Sequence, residues 1–253
     1  MSDLTPERPA ARVERHRAVT STNSLALERA REGTAAGLAW IVAAEQTGGR
    51  GRHGRHWHSP PGNLHATRLV VAPPPLPRLA GLAFVAALAL HDAVAGVVDA
   101  RARARLTLKW PNDLLAGGAK LAGVLTEAET VGPSIAIAIG IGVNVAGAPF
   151  AGATSLEGLG ATASASDLFA RLDAAFEARF AQWQGGRGFA SVRADWLARA
   201  AAPGSPATVR TGRETLSGRF AGLAEDGALL LELDSGQTRR IAAGEVLDAG
   251  EAA

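Results

Sequence analysis

The chain has 253 residues, 47% of them hydrophobic, with 26 Lys and Arg against 24 Asp and Glu. A net charge of +2 is too balanced for a nucleic-acid coat, and the absence of cysteine excludes disulfides and thiolate chemistry. The longest apolar run, Leu79 to Leu90, has 12 residues and cannot span a bilayer; with no apolar signal at the amino terminus, no membrane role and a cytoplasmic setting are expected.

Residues 1–11, with two prolines, read as a flexible tail. RVERHRAV, residues 12–19, fits a first strand. TSTNSLALERAREG supplies Ser and Asn caps, an apolar lead through Leu25 and Leu27, and Gly33 as a stop, so a helix follows. LAWIVAAEQ reads as a buried strand that runs into a long loop, TGGRGRHGRHWHSPPGN. NLHATRLVVA alternates as a strand does and ends at a PPPLP turn.

Residues 78–98 are apolar on most faces and predict a covered helix. RARLTLKW reads as a strand, PNDLLAGG as a turn, AKLAGVLTEAE as a strand and SIAIAIGIGVNV as a central strand. Helices are predicted over 165–184 and 189–200. After APGSP, residues 202–206, short strands and glycine turns take over, and a small barrel fits best. The division is thus an α+β unit, 12–202, and a small all-β unit, 203–253.

Three segments carry chemistry. In GGRGRHGRHW, glycines expose backbone N–H groups and let a ligand approach, while Arg50, Arg52 and Arg55 offer planar forks to phosphate or carboxylate. This pattern is neither a Walker loop nor a supported dinucleotide fingerprint. A solvated basic loop and a nucleic-acid arm remain alternatives; His53, His56, His58 and His65 lack metal-site spacing.

The second segment, LKWPNDLLAGGAKLAG, holds the chain's only lysines, Lys109 and Lys120, beside 24 arginines. A glycine turn is expected to bring the two together across a hairpin. A compact ammonium fits a small pocket and neutralises a phosphoryl oxygen where a wider guanidinium does not. Trp110 can stack on a ring, Asn112 can read polar edges, and Asp113 can balance a lysine or help hold Mg2+; a tight turn with a packed Trp is the bland alternative. Third, Gly140 and Gly142 in IAIGIGVNV leave room on one strand face for a flat ligand, with Asn144 at the end.

Together, STN at 21–23, EQTGGRGRHGRHWHSP at 45–60, KWPND at 109–113, KLAG at 120–123 and GIGVN at 140–144 resemble the biotin protein ligase family. Their order and separations match, and the tail resembles that family's C-terminal domain. The resemblance implies an α+β catalytic domain with a mixed sheet followed by an SH3-like β-barrel. It implies ATP, biotin and Mg2+ as ligands and a two-step reaction through biotinyl-AMP. The acceptor is a lysine of the biotin carboxyl carrier domain of acetyl-CoA carboxylase or a related carboxylase.

The implied roles fall on residues that match the motifs. Ser21, Thr22, Asn23 and Gln46 are polar biotin contacts. Arg50, Gly51 and Arg52 belong to the loop that orders over the ligands, with Arg52 holding the reactive intermediate. Arg55 and Trp57 lie toward the nucleotide. Lys120 contacts biotin and the phosphoryl group and is the favoured catalytic cation over Lys109, which flanks or supports the site. Gly123 joins the ligand-binding set, Asn112 and Asn144 the nucleotide pocket, and Asp113 serves the metal or orients the attacking lysine. The family often has Tyr and Ser where His65 and Thr67 stand, and SPPGNL is one residue shorter. With so few residues before the first strand, a ligase without a DNA-binding domain is expected, binding no DNA; a homodimer is compatible. The competing readings are a lipoate or octanoate ligase-like enzyme and an RNA-binding module.

Overall fold

The computed structural model describes residues 12–74, 79 and 81–247. The expected tail, most of the PPPLP turn and residues 248–253 lie outside that range. The described elements are β1 (Arg12–Val19), α1 (Thr22–Arg31), β2 (Leu38–Gln46), β3 (Leu64–Ala72), α2 (Leu82–Ala95), α3 (Ala100–Arg103), β4 (Leu106–Lys109), β5 (Asp113–Ala116), β6 (Ala119–Val131), β7 (Ser134–Val143), α4 (Ala165–Trp183), α5 (Phe189–Leu197), β8 (Pro206–Arg210), β9 (Thr215–Leu223), β10 (Leu229–Glu232), β11 (Thr238–Ile241) and β12 (Glu245–Leu247).

The first seven strands form one mixed sheet in the order β1-β2-β3-β7-β6-β5-β4. Only β1 and β2 run parallel; every other neighbouring pair is antiparallel. Strand alternation sends one set of side chains to each face. On one face α1 packs Ala26 and Ala30 against Ile41, Leu69, Ala136 and Ala138. On the other, α2 and α4 cover Leu64, Ala66, Leu121, Ala122 and Val124 in the main core. Helix α2 is nearly all buried, as its apolar composition requires, and closes on Gly96.

Local chemistry explains the ends. Ser21 caps α1, accepting from the Ser24 N–H at 3.4 Å, and Gly33 takes a φ of +70° just beyond the helix. Ser164 and Asp167 form a reciprocal capping box on α4. Asp99 caps α3, so Arg103, expected at the head of the β4 strand, ends a helical turn instead.

Two expectations are corrected. PNDLLAGG is not only a turn: Asp113–Ala116 is a strand, β5, because Leu114 and Ala116 alternate into the core while Gly117 and Gly118 make the turn. Lys109 and Lys120 therefore lie on β4 and β6 with β5 between them, not across one hairpin. Second, the C-terminal strands do not close into an SH3-like barrel. They form an open antiparallel sheet, β11-β10-β9-β8-β12, whose two edges are not paired with each other. The edge strand β12 has only three residues, and its start is engaged elsewhere: the Gly244 carbonyl accepts from Arg52 and the Glu245 carboxylate pairs with Arg55.

The C-terminal sheet shares the main core, contributing Val209, Phe220, Leu229 and Leu231. Trp110 is 5% exposed and donates its indole N–H to the Gly227 carbonyl at 3.1 Å. It braces the C-terminal sheet and is not a free stacking platform. Among the described residues, no helix is long and apolar enough to cross a membrane.

Candidate active site

The site lies on the α1 side of the large sheet. Register sets its floor. Lys109 on β4 pairs with Asp113 on β5, Asp113 with Gly123 on β6, Gly123 with Gly142 on β7, and Gly142 with His65 on β3. Residues opposite one another share a face, so Lys109 and Asp113 lie on one side of two glycines and His65 on the other.

Lys120 joins this face through an irregularity. By simple alternation Gly123 and Lys120, three apart, would point to opposite faces. Between β5 and β6 the register shifts: Leu114 faces Ala122, but Leu115 faces Lys120. Leu121 is the extra residue, and both Leu121 and Ala122 are buried in the core. The bulge restores Lys120 to the pocket face, where Nζ donates to Asp113 Oδ2 at 2.8 Å. The same ammonium sits 5.5 Å from the Trp57 ring centroid.

Above the floor, the arginine loop folds on itself. Gly51 N–H donates to the Arg55 carbonyl at 2.7 Å and Trp57 N–H to the Gly49 carbonyl at 2.9 Å, with left-handed His53 and Gly54 at the tip. Arg55 meets Glu245 in a two-pronged ion pair, and Arg210 reaches the same carboxylate at 3.0 Å. Hydrogen bonding from Arg55 is the main cause that holds the Glu245 pKa down at about 2. Arg52 donates to the Gly244 carbonyl at 2.8 Å; burial lowers its pKa, opposed by Glu245 and Asp113. The loop is thus tied to β12.

The other end is built from hydroxyls and amides, with the Arg50–Glu127 ion pair beside them. Gln46 Oε1 accepts from the Thr22 backbone at 2.8 Å, and Gln46 Nε2 donates to Ser59 Oγ at 3.0 Å. Asn23 spans from Thr67 to Glu127, and Arg50 reaches Ser24 and Glu127. His65 is buried, and that burial lowers its pKa; Nε2 donates to the Pro60 carbonyl at 3.2 Å.

One cavity brings together Ser21, Thr22, Asn23, Gln46, Arg50, Gly51, Arg52, Arg55, Trp57, Lys109, Asn112, Asp113, Lys120 and Gly123. Asn144 is not on its wall. Asn144 is buried, donating to the Thr154 carbonyl at 3.1 Å, where it pins the segment after β7. The room predicted above the strand glycines is already taken. A Cβ on Gly140 would come within 2.5 Å of Asn23 Oδ1, and one on Gly142 within 2.5 Å of Trp57 Nε1. Three lining or supporting residues had escaped notice: Glu127, Glu245 and Phe150. Phe150 is 52% exposed at the cavity rim. Glu127 reads as an ordinary outward residue of an alternating strand, and Glu245 lies 190 positions from Arg55. No group of three or more His, Asp or Glu with metal-site geometry occurs among the described residues.

A cavity that combines amides and hydroxyls with Lys120 and the loop arginines can hold an anionic ligand such as a carboxylate or phosphate. The comparisons agree. Residues 16–144 match the Biotin/lipoate A/B protein ligase family, and residues 204–247 match the Biotin protein ligase C terminal domain. The chain is 44% identical over 240 residues to the biotin–[acetyl-CoA-carboxylase] ligase of Paracoccus denitrificans, covering 91% of this chain and 98% of that one. It is 36% identical over 234 residues to the corresponding ligase of Mycobacterium tuberculosis, covering 90% and 85%. The solved biotin protein ligase of Aquifex aeolicus in complex with biotin and ATP superposes with a TM-score of 0.73 at 25% identity, covering 93% and 97%. This chain belongs to the biotin/lipoate protein ligase family.

Proposed function

We propose that the chain activates biotin with ATP as biotinyl-AMP and then transfers the biotinyl group to a lysine of a carrier protein. A single observation carries the reading: one cavity joins an end lined by the hydroxyls and amides of Ser21, Thr22, Asn23 and Gln46 to a cationic end at Lys120 and the arginine loop. The hydroxyl and amide end suits a neutral ring with polar edges. The cationic end suits a carboxylate meeting a triphosphate. Relatives at 44% and 36% identity named as biotin–[acetyl-CoA-carboxylase] ligases support it.

In the first step a biotin carboxylate oxygen attacks the α-phosphorus, and the bond to pyrophosphate breaks. Both reactants are anions, so fixed cations lower the barrier most where charge builds up. Lys120 is the reacting-centre cation, and Asp113 orients its ammonium through the 2.8 Å bond. Arg52 and Arg55 face the phosphates and Trp57 the nucleotide base; Lys109, Asn112 and Gly123 shape that wall. Thr22, Asn23 and Gln46 bind the ring of biotin. In the second step the acceptor amine attacks the acyl carbon, AMP leaves, and the nitrogen loses a proton. A loop that closes over the adenylate protects it from water until the acceptor arrives.

Mg2+ enters as part of the nucleotide substrate. Asp113, already paired with Lys120, is one carboxylate and not a preformed cage, and Mg2+ ordinarily relies on substrate phosphates. The acceptor is a biotin carboxyl carrier domain of a carboxylase.

The test is pyrophosphate release by the purified chain with ATP plus biotin or ATP plus lipoate, followed by transfer to a carrier domain. Biotin-dependent release and labelling of one carrier lysine are expected. Release with lipoate alone overturns the reading.

A further inference from the structure

Arg55 stands on the cavity wall with both terminal nitrogens given to one carboxylate. Nη1 donates to Glu245 Oε1 at 2.6 Å and Nη2 donates to Oε2, the forked geometry that guanidinium makes with a carboxylate. Glu245 lines the same cavity, and its pKa of about 2 makes it an anion near neutral pH. Arg52 is tied differently, through one N–H to the neutral carbonyl of Gly244. A phosphate that draws on Arg55 therefore meets a cation already neutralised, with a carboxylate beside it. Two anions on one guanidinium repel each other.

The carboxylate has a second partner on its other side. Arg210 Nη2 donates to Glu245 Oε2 at 3.0 Å, and Arg210 is not on the cavity wall. Glu245 and Arg210 sit directly opposite each other in the β12–β8 pairing, so they stay neighbours as long as the two strands stay paired. Arg55 comes instead from a loop 190 positions away, with left-handed His53 and Gly54 at its tip. Glu245 is thus shared between a loop-borne cation inside the cavity and a cation outside it that is fixed by register.

We infer that Glu245 is a positioning residue that competes with the nucleotide for Arg55, and that Arg210 keeps the carboxylate when the nucleotide takes that arginine. Glu245 acts through Arg55 and not on the reacting atoms. The inference rests on the nucleotide reading of the cavity and deepens it. Triphosphate binding becomes an exchange of anions on Arg55, and the displaced anion still has a guanidinium across the strand pair.

The test is ATP binding, by calorimetry, to the full chain and to Glu245→Gln, Arg55→Gln and the double variant. Glutamine keeps the size of Glu245 and removes its charge. Glu245→Gln is expected to tighten ATP by about threefold, the scale of one partly exposed ion pair. Arg55→Gln is expected to weaken ATP, and adding Glu245→Gln to it is expected to change the affinity by less than about 1.5-fold. Equal tightening in both backgrounds overturns the inference, because the carboxylate then acts on ATP by its field alone. So does a Glu245→Gln chain that binds ATP no tighter, or an Arg55→Gln chain that binds it as the parent does. A second cycle leaves Arg55 intact and stands even if Arg55→Gln does not fold. Arg210→Gln is expected to weaken ATP by about threefold in the parent and to have no effect in Glu245→Gln. Equal weakening in both backgrounds removes Arg210 from the exchange. Titrations are run below the lowest melting temperature of the set. A parent chain that binds no ATP overturns the nucleotide reading and this inference with it; a parent that binds ATP, with flat cycles, overturns the inference alone.

Discussion

Gly142→Ala puts a methyl group where the Trp57 indole lies. The added carbon would sit 2.5 Å from Nε1, 2.6 Å from Cε2 and 2.8 Å from Cζ2. Carbon contacts settle near 3.5 Å, so the ring must retreat by about 1 Å. The Trp57 backbone is held on both sides, by its N–H to Gly49 and by Ser59 on its carbonyl, so the side chain has to absorb the shift. Overpacking of this kind costs about 1–3 kcal/mol of stability. The functional effect is larger if Trp57 forms the nucleotide wall: a displacement of about 1 Å at a reacting site lowers the rate roughly 100-fold. That corresponds to about 2.7 kcal/mol in kcat/KM for ATP. Biotin-dependent exchange of pyrophosphate into ATP measures it, with calorimetry to show that the variant is folded at the assay temperature. Gly147→Ala is the control, since nothing lies within 4 Å of its added carbon. Equal exchange kinetics in folded Gly142→Ala and the parent would falsify the placement of Trp57 at the nucleotide.

Other outcomes follow from the same geometry. Lys120→Ala removes the reacting-centre cation and is expected to lower single-turnover adenylate formation by roughly 100- to 1,000-fold; a loss under threefold removes Lys120 from the chemistry. Arg52→Gly cuts a loop tie to β12 and is expected to speed escape of biotinyl-AMP, read as labelling of unrelated lysines; tight retention argues against that role. The Glu245 pKa falls from 4.5 to about 2 on folding, so its ion pairs stabilise the fold above about 4.5 and lose that contribution as pH drops toward 2. Glu245→Gln is therefore expected to flatten the acid limb of stability against pH in that window. An unchanged limb means the pairs with Arg55 and Arg210 contribute nothing.

The elements were legible where one period ran long enough. SIAIAIGIGV and LAFVAALALHDAVA declare a buried strand and a covered helix by composition alone. Four-residue β5 did not declare itself, because a Pro before it and two glycines after it look like a turn from end to end. The residues assigned to the site cluster in short runs, and of these all but Asn144 reach the cavity wall. What the sequence hid is long-range. The glycines of β7 promise empty space, and only the fold shows which side chains fill it. The open C-terminal sheet was hidden for a similar reason: whether short strands close on themselves depends on long-range pairing that strand lengths and glycine turns do not encode.

The extra residue at Leu121 sets the phase of the KLAG segment. Replacing Leu121 by another apolar residue leaves the pleat in phase. Deleting it leaves Lys120 and Gly123 two apart, where plain alternation still puts both on the pocket face. A β6 that kept its full length and lost the irregularity would instead turn the ammonium into the core, toward Leu114 and Ala122. The bulge is what lets a strand of this spacing carry its cation on the working face.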